Sequence, residues 1–214
     1  MDVTLIEAES PRGIVLFGPG AGGAPDRYRH VLEAAAADGY TVAAPIHERF
    51  DGRTVTDDQM LERADGLQTA LAAVDRPDLP VVAAGHSAGA WAALCLAGAL
   101  PCGRDRQPLE VPAEPRVSRL VLLAPTVGWF QGSGALDRVT VPTTVFVGSS
   151  DVVTPPSSAE LLRAVRGSVE IRSYDGVGHL DFMCDLPPGV QPTAGLDHNA
   201  FLDRLAADFV RALS

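Results

Sequence analysis

The residues with the clearest capacity for chemistry lie in Gly85-His86-Ser87-Ala88-Gly89. A serine hydroxyl is a weak nucleophile until it is exposed, aligned with a base and set near donors for a developing oxyanion. The flanking sequence supplies the exposure. An apolar run, Val81-Val82-Ala83-Ala84, precedes the pentapeptide, and an Ala-rich, helix-favouring run follows it. This order predicts strand, one-residue elbow and helix, with Ser87 pushed out at the carboxyl end of a sheet. Gly85, Gly89, Ala88 and Ala90 are small enough for strand and helix to approach one another. The helix sets its positive amino-terminal end beneath a reacting carbonyl. The stretch 81–100 is also nearly uncharged and about as long as a membrane span. Gly85, His86, Ser87, Gly89 and Gly98 interrupt it, however, and no Lys or Arg flanks it closely.

Strand and helix signals alternate on either side of this element. Residues 2–7 read as an edge strand and 13–17 as a short buried one, followed by the loop Gly18-Pro-Gly-Ala-Gly-Gly23. A helix is expected over 25–38, with Pro25 at its first position and Gly39 ending it. A strand over 41–45 follows. Thr56-Asp-Asp-Gln59 has the form of a capping box for a helix burying Met60, Leu61, Ala64, Leu67, Leu71 and Val74. Further strands are expected over 119–124, 143–147 and 169–173, and a helix after Thr154-Pro155-Pro156. A final amphipathic helix covers about 198–213. With no repeat, linker or second core, residues 1–214 read as a single α/β domain. Its expected form is a doubly wound, mostly parallel sheet with helices on both faces.

In an open parallel sheet, sites form beyond the carboxyl ends of the strands. Asp151 directly follows strand 143–147, and His179 follows strand 169–173 through the glycine-loosened Gly176-Val-Gly178. Ser87, Asp151 and His179 therefore share one end of the sheet. Asp175 is a second candidate acid. Asp181 reads as facing solvent or anchoring its loop, and His86 as tucked beside the strand end. His30 and His198 carry no supporting pattern, whereas His47, at a strand's carboxyl end, is a candidate pocket residue.

Gly85-His-Ser-Ala-Gly89, an Asp just past a late strand with Val-Thr-Pro behind it, and Gly-His before the last helix together resemble the α/β-hydrolase superfamily. The resemblance runs from about Gly13 to Leu213. It implies a triad in the order nucleophile, acid, histidine: Ser87, Asp151 and His179. Family position also implies oxyanion donors at the backbone N–H groups of Ala88 and Ala21. The family often has His-Gly before the second donor, where this chain has Pro19-Gly20. The connection after strand 119–124 is short, so a minimal domain without a cap is expected. Its open pocket would be edged by Trp129, Phe130, Phe182 and Met183, with Phe50 and His47 nearby. The expected substrate is a small to medium ester, with thioesters and lactones as alternatives on the same residues. Dienelactone hydrolases are similar in size, but their prototypes use a cysteine nucleophile.

Two readings from other classes stand beside this one. Gly18-x-Gly20-x-x-Gly23 matches a dinucleotide fingerprint, although Pro19 lacks an N–H for a phosphate. A ligand-binding protein that leaves Ser87, Asp151 and His179 unused is the other.

Composition narrows the field further. The net charge of −10 repels phosphate backbones and anionic membranes, so neither nucleic acid nor membrane is an expected partner; self-association is left open. All 17 basic residues are Arg, which removes Schiff-base and P-loop lysine chemistry. Cys95, Cys102 and Cys184 have no metal-type spacing, and the first residues do not form a secretory leader. A cytoplasmic protein without cofactor or metal is the resulting expectation.

Overall fold

Runs that are apolar at every position become strands only where both faces are covered. The computed structural model describes residues 1–214, and it meets that condition with one seven-stranded sheet. Its strands are Val3–Ile6 (β1), Gly13–Gly18 (β2), Tyr40–Pro45 (β3), Val81–His86 (β4), Val117–Leu123 (β5), Thr143–Gly148 (β6) and Val169–Tyr174 (β7). Their spatial order is β1-β3-β2-β4-β5-β6-β7; β1 is antiparallel to β3 and every other pair is parallel.

Alternate side chains feed two cores. Ile14, Leu16, Ala83, Leu120 and Leu122 point to the face covered by Asp57–Ala72 (α2, numbered after Arg29–Ala37, α1) and Ala88–Leu96 (α3). Val15, Phe17, Ala84, Val121 and Leu123 point to the face covered by α1 and His198–Ala212 (α4). Fully buried side chains such as Phe17, Trp91 and Phe209 each contribute about 1.5–3 kcal/mol by leaving water. No helix is long and apolar enough to cross a membrane.

The order of strands decides where a site can form. From β2 the chain winds outward to β3, then passes back across β2 to lay down β4 on its other side. Connections therefore diverge between the carboxyl ends of β2 and β4, which opens a crevice there. Gly18 and Gly85 are paired across that gap.

Leu61 and Val74, expected to be buried by α2, are only half-buried, and Val74 lies past the end of that helix. Two segments also wind differently from the sequence expectation. The helix expected over 25–38 is a 3-10 turn at Pro25–Tyr28 followed by α1, because Tyr28 leaves the helical conformation (φ −119°, ψ 12°) as its ring enters the core. The segment Pro156–Ala164 is likewise 3-10 rather than α. There the Ser158 N–H and hydroxyl both bond the Pro155 carbonyl, at 2.8 and 2.7 Å, which favours the tighter winding. The capping box of α2 forms as read: Gln59 N–H donates to Thr56 Oγ1 at 3.2 Å, and Thr56 N–H to Gln59 Oε1 at 3.0 Å.

Candidate active site

Ser87 is the single residue between β4 and α3, and it holds φ 54° and ψ −115°. A non-glycine residue there stores strain of order 1–3 kcal/mol. Close packing on both sides sustains it. A Cβ added to Gly85 would fall 2.5 Å from the Gly89 carbonyl carbon, and one added to Gly89 would fall 1.9 Å from the Gly18 oxygen. β2, β4 and α3 thus touch backbone to backbone, and Gly18 of the glycine loop is spent on that contact. The Ser87 N–H is fixed by Leu123 O at 3.0 Å. The hydroxyl meets Thr126 Oγ1 at 3.4 Å rather than His179.

Asp151 lies just past β6, 3% exposed, and His179 opens the 3-10 turn after β7, 8% exposed. Asp151 Oδ2 and His179 Nδ1 are 2.8 Å apart. The carboxylate also accepts from Val153 N–H and Thr154 N–H, each at 2.8 Å, and from the Thr154 hydroxyl at 2.8 Å. Burial pushes its pKa up, but the bonds to His179 and Thr154 win and hold it below the ordinary carboxylate value. An ionised Asp151 can only accept, so Nδ1 of His179 is the donor to it, which in the neutral tautomer leaves Nε2 as the acceptor. Thr154 Oγ1, 3.1 Å from the same Nδ1, braces the pair; the sequence presents Thr154 only as a helix cap.

A second chain of bonds ties the glycine loop to the histidine loop. Gly20 N–H donates to Tyr28 Oη (3.2 Å), Tyr28 Oη to His86 Nδ1 (2.9 Å), and His86 Nε2 to the His179 carbonyl (3.1 Å). Burial, aided by His179, keeps the His86 pKa well below its ordinary value, so the ring is neutral and its tautomer set by these partners. His86 is a bracket beside the strand end. Asp181 is buried rather than facing solvent, accepting from Gly178 N–H (2.7 Å), Thr193 N–H (3.1 Å) and Thr193 Oγ1 (2.6 Å). It anchors the His179 loop to the segment before α4. Asp175 is exposed and accepts from Ser149 Oγ, away from the histidine.

Ser87 and His179 open into one cavity of about 820 Å³, lined also by Gly20, Ala21, Gly22 and Ala88. Ala88 is the first residue of α3, where a backbone N–H has no intrahelical acceptor. Neither Ala88 N–H nor Ala21 N–H donates to another protein group, while the Ala21 carbonyl accepts from Phe50 N–H (3.1 Å) and Arg63 Nη2 (3.3 Å). In the sequence Arg63 carries no signal of a special role, because it sits among the polar positions of α2. It is 2% exposed, donates also to Glu48 O at 2.7 Å, and lies over the Phe50 ring at 4.5 Å. Burial lowers its pKa to about 10, still leaving it charged. It clamps the glycine loop to the loop after β3.

The expected pocket edge is partly corrected. Trp129 and Met183 line the cavity, as do Phe50, Val55, Met60 and Leu180. Phe130 does not: it is 1% exposed and packs on Trp91 at 6.3 Å. Phe182 is fully buried among His86, Tyr174 and Phe201. His47 turns away onto α2, where a Cβ on Gly66 would lie 2.2 Å from its ring. In each case burial of a ring against the core outcompetes exposure at the crevice. No group of three or more His, Cys, Asp or Glu side chains is placed to hold a metal ion.

Comparison with known proteins adds a fold-level likeness. No protein-family model and no curated protein matches the sequence. Among solved structures, an α/β serine hydrolase homologue from Coxiella burnetii superposes with a TM-score of 0.67 at 16% identity, covering 99% of this chain and 91% of that one. A thermophilic esterase from Thermogutta terrifontis with butyrate bound gives 0.65 at 15% identity, covering 99% and 89%. An esterase domain from Rhodothermus marinus gives 0.59 at 16% identity and covers 100% of both chains. Superposition over nearly the whole of each chain shows that this chain has the α/β-hydrolase fold.

Proposed function

We propose that this protein is a serine hydrolase of small to medium carboxylic esters, working through an acyl-enzyme on Ser87. The observation that carries this reading is the buried Asp151–His179 pair, 2.8 Å apart, whose histidine opens into the same cavity as a serine held at φ 54°. That arrangement supports the assignment of nucleophile, base and orienting acid to these three residues. The Ser87 hydroxyl turns from Thr126 toward His179 Nε2 and attacks the acyl carbonyl as Nε2 takes its proton. His179 then gives that proton to the departing alcohol and draws another from the water that frees the acid. Asp151 holds the tautomer and stabilises the imidazolium.

The oxyanion is assigned to the N–H groups of Ala88 and Ala21, each such donor being worth roughly 2.7–4 kcal/mol in the transition state. The esterases among the structural neighbours support the ester class. The dinucleotide alternative loses support because Gly18 is filled by Gly89 and Gly20 by Tyr28 and His86. The cysteines are unpaired, which fits a reducing compartment, and we assign the protein to the cytoplasm.

Hydrolysis of 4-nitrophenyl acetate, butyrate and hexanoate by the wild type and Ser87→Ala tests the reading. The variant is expected to fold and to lose several orders of magnitude in kcat. Activity in Ser87→Ala close to that of the wild type on every ester would overturn it.

A further inference from the structure

The cavity above Ser87 is apolar around its floor, yet its charged rim is strongly one-sided. Arg27, Arg49 and Arg53 line it, against a single carboxylate, Asp51. That bias runs opposite to the chain as a whole, whose net charge is −10. A random sample of this surface would place more carboxylates than guanidiniums around an opening.

The charge of the rim arginines is not taken up within the protein. Eight arginines form ion pairs with Asp or Glu: Arg12, Arg76, Arg116, Arg163, Arg166, Arg172, Arg204 and Arg211. Arg27, Arg49 and Arg53 form none, a property shared with arginines elsewhere on the chain, and what sets them apart is their clustering at one cavity. Arg27 is half-buried and held by one bond, from Nη1 to the Asp185 carbonyl at 2.9 Å, which neutralises nothing. Asp51 does not quench Arg53; its Oδ1 accepts from the Arg53 backbone N–H at 3.0 Å, an Asx turn that shapes the loop. The exposed Arg49 and Arg53 and the half-buried Arg27 share the cavity with the buried side chains of Val55, Met60 and Met183 and the half-buried Trp129. A ligand that reached from Ser87 to this rim would pass from apolar surroundings into a cationic one.

We infer that the natural ester carries an anionic group, a carboxylate or phosphate monoester, at the end remote from its scissile carbonyl, bound by Arg27, Arg49 and Arg53. This inference rests on the hydrolase reading of Ser87 and deepens it by naming the substrate class. Guanidinium recognises both anions through charge-assisted bonds, often in pairs. Exposure of Arg49 and Arg53 makes the attraction sensitive to salt.

The test compares three 4-nitrophenyl esters of equal chain length: hexanoate, the monoester of adipic acid, and the ester of 6-phosphooxyhexanoic acid. The wild type should prefer one or both anionic esters over hexanoate by roughly tenfold in kcat/KM at low ionic strength, the preference falling as salt is added. Which anionic ester leads identifies the group. In R49Q/R53Q, at positions exposed enough for the fold to tolerate the change, the preference should fall toward unity. In R49E/R53E it should invert; R27Q should lower it alone. A wild type that cleaves hexanoate as well as or better than both anionic esters, with the ratio unmoved in these variants, overturns the inference and leaves the hydrolase reading standing. Failure to cleave any of the three by folded protein overturns both.

Discussion

The floor and the rim of the cavity are built on opposite terms. Beneath the floor, Gly18, Gly85 and Gly89 meet backbone so closely that no side chain fits, and Ser87 is held in a strained conformation by that contact. At the rim, Gly22 and Gly52 meet nothing within 4 Å, and Arg49, Asp51 and Arg53 are exposed. A rigid floor supplies the fixed geometry that covalent chemistry needs. The open rim leaves room for side chains that choose among ligands. On the proposed reading, chemistry and selectivity are thereby separated on different segments of the chain.

Breaking the floor should cost far more than altering its surroundings. Asp151→Asn keeps the shape of the pair but favours the wrong histidine tautomer, and kcat should drop by about 10⁴. Asp175→Asn, whose carboxylate bonds only Ser149 Oγ within the protein's side chains, should stay within about twofold. Steady-state kinetics on one neutral ester decides between them, and the reverse pattern would move the acid to Asp175.

Packing gives the next contrast. Gly89→Ala forces a Cβ to 1.9 Å from the Gly18 oxygen and should lower stability by at least about 3 kcal/mol in urea unfolding. Gly52→Ala has open space around it and should change stability by no more than about 0.5 kcal/mol.

A smaller effect is expected where the floor is braced from behind. Tyr28→Phe leaves Gly20 N–H and His86 Nδ1 without their partner, at a cost of about 1–3 kcal/mol. If the link also positions the glycine loop, kcat should fall more than KM rises. A stability loss with unchanged kcat would mean that the bracket is structural alone.

The smallest change is with pH. Burial, with His198 and Arg29 nearby, lowers the His30 pKa to about 4, and burial with Arg63 nearby lowers that of His47 to about 4. Both rings take up protons less readily folded than unfolded. Their contribution to stability is therefore complete above pH 6.5 and declines as pH falls toward 4. Unfolding at pH 5 should show a loss of about 1–2 kcal/mol from His30 relative to pH 7, and His30→Asn should flatten the profile. A profile unchanged by His30→Asn would contradict the assignment.

The floor was legible in the sequence because its constraint acts on residue type at adjacent positions. Only small residues allow β2, β4 and α3 to touch, and the apolar run before Ser87 marks the strand that carries it. The rim lacks such a constraint. Trp129 and Phe130 are neighbours with similar chemistry, yet one lines the cavity and the other fills the core. Arg63 has the pattern of a solvent-facing helix position. It is buried because two loops cross that side of α2, a fact that belongs to the assembled sheet. His47 follows the same rule: it lies past a strand end, as its sequence position implies, but Gly66 leaves room for its ring on α2.

The central claim is that Ser87 is an activated nucleophile beside a working base and oxyanion pocket. Its most direct test is intact mass of the protein before and after a fluorophosphonate probe, with peptide mapping of the adduct. The account predicts one covalent adduct, on Ser87, that is absent in Ser87→Ala and strongly slowed in Asp151→Asn. A well-folded protein that takes up no probe, or carries it on another residue, would contradict the account.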